Sequence, residues 1–186
     1  MLYLASQSPR RREILQQIGV HFEVLAVAVP EQWDGHESAR DYVTRVALAK
    51  ARAGRTLAGG QPVLAADTEV QLNNVILGKP ADKAAAMVML QQLSGRSHQV
   101  LTAVALAHDA ETVIVNTNVV SFRTLSRDEC EAYCDSGEPY DKAGAYAIQG
   151  RAAAFVTRLQ GSFSGVMGLP VKETTQLLSS TSLLNS

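Results

Sequence analysis

The chain has 186 residues, of which 46% are hydrophobic and 19% are charged, and its 17 basic and 18 acidic side chains give a formal net charge of −1. This balance argues against a protein that binds nucleic acid through a generally basic surface, and it excludes the highly charged, aromatic-poor composition of a disordered chain. A chain of this mass buries roughly 70% of its extended surface, so one hydrophobic core is expected rather than two.

Hydrophobic periodicity predicts strands and helices that alternate along the chain. The first half is expected to form, in order, a strand at 2–5, a helix from Pro9 to Gly19, a strand at 22–29, a helix at 38–55 and two hairpin strands at 63–72 and 75–78. The second half is expected to form a helix at 82–93, strands at 99–107 and 112–125, a helix from Ser126 to Cys134, a strand near 155–159 and a helix at 171–178. This order indicates an α/β fold with a mixed sheet flanked by helices.

The sequence also predicts a hairpin turn, an irregular stretch and a frayed end. Asn73 and Asn74 tolerate positive φ and therefore suit a tight hairpin turn. The glycine-bearing stretch 137–168 is the least regular part of the sequence. We expect a single domain over residues 1–186, in which 179–186 form a frayed tail.

Neither the cysteines nor the apolar runs indicate an exported or membrane protein. Cys130 and Cys134 lie four residues apart on a predicted helix, with no His or further Cys at a metal-site spacing, so we expect two reduced thiols. The longest apolar runs, such as 24–30 and 100–107, are far too short to span a bilayer. No basic region precedes the apolar start of the chain. We therefore expect a cytoplasmic protein with no membrane partner.

The start of the first predicted helix carries a cluster of positive charge. Ser8 and Pro9 supply an N-cap and a first helical residue. Arg10, Arg11 and Arg12 then add three guanidinium groups at the positive end of the helix dipole. An anion stabilises such a terminus, because free backbone N–H groups and guanidinium groups both bind phosphate. The alternative is that the arginines extend into solvent or pair with distant carboxylates.

Three further charged residues occupy positions where apolar residues are expected. Lys50 lies on the apolar stripe of the helix 38–55, so its ammonium must either reach solvent or face a buried anion. Asp67 and Glu69 follow the apolar run 63–66 and alternate onto one face of a strand. Two such carboxylates either bind a divalent cation or raise the pKa of one carboxyl, unless the strand has already reached the surface. With the arginines, they indicate chemistry on a polyphosphate.

An ordered series of short motifs resembles the Maf family of nucleotide pyrophosphatases. The match runs from about Leu4 to Leu178 and covers nearly the whole chain. In order, the motifs are Ser6-Gln7-Ser8-Pro9-Arg10-Arg11, Lys50-Ala51, Ala66-Asp67-Thr68, Gly78-Lys79-Pro80, Leu93-Ser94-Gly95, Asp141-Lys142-Ala143-Gly144-Ala145-Tyr146, Ile148-Gln149-Gly150 and Gly168-Leu169-Pro170.

The resemblance implies an elongated, two-lobed Maf/ITPase-like α/β fold and the hydrolysis of a nucleoside triphosphate to the monophosphate and pyrophosphate. It implies dependence on a divalent metal cation, Mg²⁺ or Mn²⁺, and Asp67 as the proton acceptor. Glu69 stands where the family usually has an apolar residue, so it either adds a metal ligand beside Asp67, raises the pKa of Asp67 or slows the enzyme. The residues implied around the phosphates and the metal are Ser8, Arg11 or Arg12, Glu31, Lys50 and Lys79.

Three positions that differ among subfamilies of the resembled family, Arg10, Thr68 and Gln149, are similar to those of its dTTP/UTP type. Gln149 can donate to a pyrimidine carbonyl and accept from the imide N–H, while Arg10 or Thr68 supplies further donors. The type that acts on N7-methyl-GTP typically has a tryptophan at the position of Arg10, and an arginine would repel that cationic base. Ala147 stands where the family often has glycine, which affects the loop that carries Gln149.

Two other classes of function remain open from the sequence. A non-catalytic nucleotide-binding regulator of septum formation would use the same cations, but it gains nothing from the charge of Asp67 and Glu69 unless a metal intervenes. A sugar-phosphate or phosphomonoester hydrolase would release orthophosphate directly. The expected partner is a nucleoside triphosphate, no stable nucleic-acid partner is expected, and the family resemblance suggests a homodimer.

Overall fold

The computed structural model describes residues 1–179, and this part of the chain forms a seven-stranded mixed sheet flanked by helices. The strands are β1 Leu2–Leu4, β2 Phe22–Val24, β3 Val63–Leu72, β4 Val75–Leu77, β5 Ser97–Ala107, β6 Glu111–Phe122 and β7 Val156–Gln160. The α-helices are α1 Pro9–Gln17, α2 Ala39–Leu57, α3 Lys83–Leu93, α4 Arg127–Asp135, α5 Phe163–Met167 and α6 Val171–Ser179. Short 3-10 helices span Glu138–Asp141, Ala143–Ala145 and Arg151–Phe155. The expected mixed-sheet α/β fold is confirmed.

The second strand is shorter than the sequence predicts. We expect a strand at 22–29, but β2 ends at Val24. Beyond it, Leu25, Val27 and Val29 are partly buried and pack against the core beside α2. Their alternation therefore reflects a loop that lies against a helix, which an apolar pattern alone cannot distinguish from a strand.

The stretch 137–168 contains the helix α5, which the sequence does not predict. A helix of five residues that includes Gly165 is too short to show a helical periodicity. At the other end of the chain, Ser179 ends α6 and so does not belong to the tail expected at 179–186. Residues 180–186 lie outside the described part of the chain.

The central strand β3 is covered on one edge along its length and on the other edge only at its ends. The sheet order is β2-β1-β3-β5-β6-β7, with β4 beside β3. β5 pairs with β3 from Val63 to Gln71. On the opposite edge, β1 pairs with Val63 and Leu64, and β4 pairs with 70–72. Within residues 1–179, no strand covers this edge at 65–69, which leaves the middle of the strand open.

Successive residues of β3 face opposite layers of the fold. Val63 and Ala65 pack against α2 in one buried cluster, and Leu64 packs with residues of α1 and α6 in another. The alternation continues past Ala65, so the side chain of Asp67 faces the α2 layer and that of Thr68 faces the α1 layer. Both residues lie at the open stretch.

The structure also describes the two cysteines and the character of the helices. Cys130 and Cys134 are free, buried thiols on α4. None of the helices within residues 1–179 has both the length and the apolar character needed to cross a membrane.

Candidate active site

A cavity of about 380 Å³ lies beside the open stretch of β3. The first turn of α1, the inner side of α2, β3 itself and the segment 141–149 contribute to its wall. Of the residues expected from the sequence to bind the phosphates, the metal or the base, Arg12 does not contribute to the wall of this cavity within the described chain. The others do, namely Ser8, Arg10, Arg11, Glu31, Lys50, Asp67, Thr68, Glu69, Lys79 and Gln149.

Lys50 on α2 forms two ion pairs at the open stretch of β3. Its Nζ donates to Asp67 Oδ1 at 2.8 Å and lies 3.0 Å from Glu31 Oε1. Lys50 is only 9% exposed. The ammonium therefore faces a buried anion, which decides between the two alternatives that the sequence left open. The pairing restrains one oxygen of Asp67, and a buried ammonium without such partners would be costly.

Two carboxylate oxygens in the cavity, Asp67 Oδ2 and Glu69 Oε2, are buried without a hydrogen-bond partner among the described residues. Burial, followed by the charge of Asp67, raises the pKa of Glu69 to about 8, while Lys79 opposes this rise. A carboxyl group with this pKa is protonated at neutral pH unless a cation takes the place of the proton.

These carboxylates fit a magnesium or manganese ion. Both metals prefer oxygen ligands, and Mg²⁺ in particular is commonly bound through one or two carboxylates together with phosphate oxygens of the substrate. Within residues 1–179, no three His, Cys, Asp or Glu side chains converge as a ready metal cluster, because Lys50 Nζ lies between Glu31 and Asp67. The unpartnered carboxylate oxygens nevertheless fit a cation bound by Asp67 and Glu69. Glu31 could join them if it exchanged its contact with Lys50.

The first turn of α1 faces the cavity with backbone N–H groups that a helix cannot pair internally. Ser8 is the N-cap residue, but its side chain makes no capping hydrogen bond. Arg11 Nε donates to the carbonyl oxygen of Gly168 at 2.8 Å. Its Nη1 donates to Ser6 Oγ at 3.2 Å, and its Nη2 donates to Thr68 Oγ1 at 3.1 Å. These contacts leave further N–H groups of the guanidinium for an anionic ligand.

A directional chain of hydrogen bonds lies behind Thr68. Thr102 Oγ1 donates to the carbonyl oxygen of Gly165 at 2.8 Å and lies 2.9 Å from Thr68 Oγ1. Because Thr102 uses its single proton on that carbonyl, the proton between the two hydroxyls comes from Thr68. Thr68 also accepts from Arg11, which leaves its oxygen only a lone pair for a ligand. Of the two residues expected from the sequence to supply a further donor, Arg10 or Thr68, this arrangement favours Arg10. Sequence reasoning missed Thr102, whose only signal is a hydroxyl inside an apolar strand.

Lys79 and Gln149 are exposed in the cavity wall, and Arg10 is partly buried there. Arg10 Nη1 donates to Asp141 Oδ2 at 3.5 Å. Asp141 also forms an ion pair with Lys142, which lines the cavity beside it. Sequence reasoning assigned no role to Asp141 or Lys142, although both belong to a motif that it had quoted.

Comparison with known proteins identifies close relatives over nearly the whole chain. A family model described as Maf-like protein matches residues 1–181. The chain is 52% identical over 183 residues to the dTTP/UTP pyrophosphatase of Alkalilimnicola ehrlichii, which covers 95% of this chain and 91% of that protein. It is 54% identical over 179 residues to the dTTP/UTP pyrophosphatase of Methylococcus capsulatus, with 95% and 89% covered. The protein of the same name in Salmonella typhimurium is 52% identical over 181 residues, with 96% and 91% covered.

Two solved structures share the fold at low sequence identity. The Ham1 protein of Staphylococcus aureus matches with a TM-score of 0.56 at 14% identity, with 97% of this chain and 98% of that chain covered. A HAM1 protein from Coxiella burnetii matches with a TM-score of 0.53 at 17% identity, with 96% and 98% covered. At these identities the likeness concerns the architecture alone.

Proposed function

The chain belongs to the Maf family, and we propose that it hydrolyses dTTP and UTP to the monophosphate and pyrophosphate. The observation that carries this proposal is the cavity in which the Lys50–Asp67 ion pair faces the first turn of α1. Relatives at about 52% identity bear the name dTTP/UTP pyrophosphatase, which supports the same reaction and the same bases.

In the proposed reaction, Asp67 acts as general base on the water that attacks the α-phosphorus. Lys50 restrains Oδ1, while Oδ2 has no hydrogen-bond partner within residues 1–179 and is free to accept the proton of that water. The new bond joins the water oxygen to the α-phosphorus, and the bond from this phosphorus to the bridging oxygen of the β-phosphate breaks. Pyrophosphate leaves with the electron pair of that bond.

The proposed phosphate-binding groups surround the leaving pyrophosphate. Ser8 and the backbone N–H groups of the first turn of α1 bind phosphate oxygens, as helix N-termini commonly do. The N–H groups of Arg11 that remain after its protein contacts add charge-assisted hydrogen bonds. Lys79 contributes a further positive charge on the exposed side of the cavity. Arg12, which does not line the cavity, has no part in this assignment.

We assign a divalent cation, Mg²⁺ or Mn²⁺, to Asp67 and Glu69, with Glu31 as a further ligand. When bound, it would neutralise negative charge on the phosphates and polarise the phosphorus that is attacked. The unpartnered oxygen Glu69 Oε2 supports this assignment, because buried carboxylate oxygens are otherwise paired. Asp67 Oδ1 keeps a lone pair beside its hydrogen bond from Lys50, so Asp67 can bind the cation while Oδ2 serves as the base.

Arg10, Thr68 and Gln149 are the proposed base-selecting residues. Uracil and thymine present two carbonyl acceptors on either side of an imide N–H. Thr68 can only accept, which suits the imide N–H, and the Gln149 amide can both donate and accept. Arg10 adds a positive charge that disfavours an N7-methylated guanine.

The decisive experiment is incubation of the purified protein with dTTP, UTP, the other nucleoside triphosphates and N7-methyl-GTP in the presence of Mg²⁺ or Mn²⁺. The proposal requires pyrophosphate as the direct product and faster turnover of dTTP and UTP than of the other nucleoside triphosphates. Direct release of orthophosphate would indicate a phosphomonoester hydrolase. Binding without turnover would indicate a nucleotide-binding regulator, and either result would overturn the proposal.

The same proposal covers the organisation of the protein. We propose one Maf-like domain over residues 1–186, which the presence of β1 and β7 in one sheet within residues 1–179 supports. We assign it to the cytoplasm, with a small-molecule substrate as its partner and a second copy of the chain as its candidate oligomeric partner. Size-exclusion chromatography with light scattering tests the homodimer.

A further inference from the structure

The turn that carries Gln149 is fixed by hydrogen bonds at both of its ends. Gly150 N donates to the carbonyl oxygen of Ala147 at 3.1 Å, which closes the 147–150 turn. Before the turn, Ala147 N donates to Tyr133 Oη at 3.1 Å. After it, Arg151 N donates to Glu138 Oε2 at 3.1 Å. The backbone on each side of Gln149 is therefore tied to a side chain from another part of the chain.

The two side chains that bind the turn are also bonded to each other. Tyr133 Oη donates to Glu138 Oε1 at 2.7 Å, so its oxygen is left to accept from Ala147 N. Tyr133 is 4% exposed, and its ring packs edge-on against Phe155 at 5.2 Å between ring centroids. Burial, followed by the hydrogen bond to Glu138, raises the pKa of Tyr133, so the hydroxyl keeps its proton at any working pH.

The Glu138 carboxylate packs directly on the backbone of the turn. A Cβ placed at Gly150 would lie 2.2 Å from Glu138 Oε1, which is closer than any side-chain contact allows. Gly150 has a φ of −101°, which alanine also adopts, so the backbone conformation does not require glycine. Glycine is required here because the Glu138 carboxylate lies too close for a Cβ. The absence of a side chain lets the carboxylate reach the N–H group that follows the turn.

The 3-10 helix that begins at Glu138 also contacts Arg10, another proposed base-selecting residue. The 3-10 helix Glu138–Asp141 begins with the carboxylate that binds the Gln149 turn, and it ends with Asp141, which accepts from Arg10 Nη1 at 3.5 Å. This 3-10 helix thus contacts both Arg10 on α1 and the turn that carries Gln149.

We propose that Tyr133 and Glu138 are positioning residues that set which base the cavity accepts, because they fix the backbone on both sides of Gln149. Neither residue lines the cavity in the described chain, so they act through the turn and not by contact with the nucleotide. The inference rests on the proposed function only in the base-selecting role of Gln149.

The test uses Tyr133→Phe, which removes the hydroxyl but keeps the ring against Phe155. Its matched control is Tyr140→Phe, because the Tyr140 hydroxyl donates to the carbonyl oxygen of Cys134 at 3.1 Å and, among the described residues, forms no hydrogen bond with the turn 147–150. We expect kcat/KM for dTTP to fall roughly fivefold to tenfold in Tyr133→Phe, as the loss of one buried hydrogen-bond partner implies, while kcat/KM for dCTP changes little. Tyr140→Phe is expected to keep the wild-type dTTP/dCTP ratio.

Gly150→Ala tests the carboxylate side of the same arrangement. The added Cβ displaces Glu138, so this variant is expected to lower the dTTP/dCTP ratio as Tyr133→Phe does. In a Gln149→Ala background, both substitutions are expected to lose their effect on the ratio, because the residue they position is gone. An unchanged ratio in Tyr133→Phe, or an equal effect with and without Gln149, would overturn the inference.

Affinities of nucleotide analogues that cannot react test the positioning role independently of the proposed reaction. The affinities of α,β-methylene dTTP and dCTP, which cannot release pyrophosphate, are measured by calorimetry for the same variants. If the wild type releases no pyrophosphate but prefers the thymine analogue, and Tyr133→Phe abolishes that preference, the proposed reaction fails and the positioning role stands. If the wild type shows no preference between the two analogues, the positioning role fails with the base assignment.

Discussion

Lys50 Nζ and Asp67 Oδ1 lie 2.8 Å apart beside residues 65–69 of β3, where no strand of the described chain covers the edge. Lys50 comes from α2, so the ion pair joins a helix to the middle of a central strand. Both side chains are largely buried. We therefore expect the pair to affect both the proposed activity and the stability of the protein, and substitutions separate the two effects.

Asp67→Asn should remove the proposed general base while it keeps the shape of the side chain and an oxygen for Lys50. We expect turnover of dTTP to fall by about 10²-fold to 10⁴-fold, the usual contribution of such a group, with the folded state retained. Pyrophosphate release and thermal unfolding measure the two effects. The control is Asp109→Asn, because the Asp109 side chain is 95% exposed on the turn between β5 and β6. Near-normal turnover in Asp67→Asn would remove this residue from the chemistry.

Lys50→Met should destabilise the protein, because it leaves Asp67 buried without its ammonium partner. Removal of one member of a buried ion pair costs about 3 kcal/mol in the free energy of unfolding. Urea denaturation measures this loss, and the double variant Lys50→Met/Asp67→Leu is expected to recover much of it. Arg52→Met on the same helix removes an exposed ion pair with Glu111 and should leave stability nearly unchanged. Equal stability of Lys50→Met and the wild type would contradict the prediction.

Glu69→Gln should weaken binding of the divalent cation. We expect the Mg²⁺ concentration for half-maximal activity to rise at least about tenfold, since even outer-shell partners of a metal commonly contribute that much. Calorimetric titration with Mn²⁺ in the absence of nucleotide gives a second readout that does not depend on turnover. Glu23→Gln on β2 is the control, because Glu23 is exposed and does not line the cavity. If Mn²⁺ binds Glu69→Gln as tightly as the wild type, Glu69 is not a ligand.

Thr102→Val should change the base preference without touching the nucleotide. Without the Thr102 hydroxyl, the proton of Thr68 is free to point at the ligand, where it suits the acceptor N3 of cytosine better than the N3–H of thymine. We expect the ratio of kcat/KM for dTTP to that for dCTP to fall roughly fivefold. Thr102→Ser keeps the hydroxyl and should keep the ratio, so a similar ratio in both variants would show that the direction of this hydrogen bond does not select the base.

Stability should decrease in mild acid because of His98. Burial lowers the pKa of His98 from the ordinary value of 6.5 to about 4. Between these values the unfolded chain binds a proton that the folded chain does not, so the free energy of unfolding falls as the pH falls, by about 3 kcal/mol in total. His98→Gln cannot titrate and should show a flatter dependence over this range in urea denaturation. Tyr146→Phe removes the hydrogen-bond partner of His98 but keeps the ring, and it should retain the wild-type slope.

The fold class and the order of the elements could be predicted because their signals are local. The Asn73-Asn74 hairpin turn has φ values of 50° and 65°, as the sequence predicts. Lys50 and Asp67 could be found because each places a charge where the periodicity of its own element expects an apolar residue. A violated local pattern is visible without any knowledge of the partner.

Residues that obey their local pattern could not be found in this way. Tyr133 lies on the buried side of a capped helix, and Glu138 lies in a polar turn, so neither position is unusual in the sequence. Their proposed roles depend on contacts with Ala147 and Arg151, more than ten residues away along the chain. Contacts of this kind follow only from the three-dimensional arrangement of the elements.

The uncovered stretch of β3 also bears on how nucleotide preference can diverge. The backbone beneath Asp67 remains paired with β5, so the carboxylate stays in place without the ordering of a flexible loop when the substrate binds. The segment 138–151, which carries the proposed base-selecting residue Gln149, is separate from this strand in the chain. On this proposal, substitutions there can accumulate and retune recognition of the base while Asp67 and Lys50 are inherited unchanged.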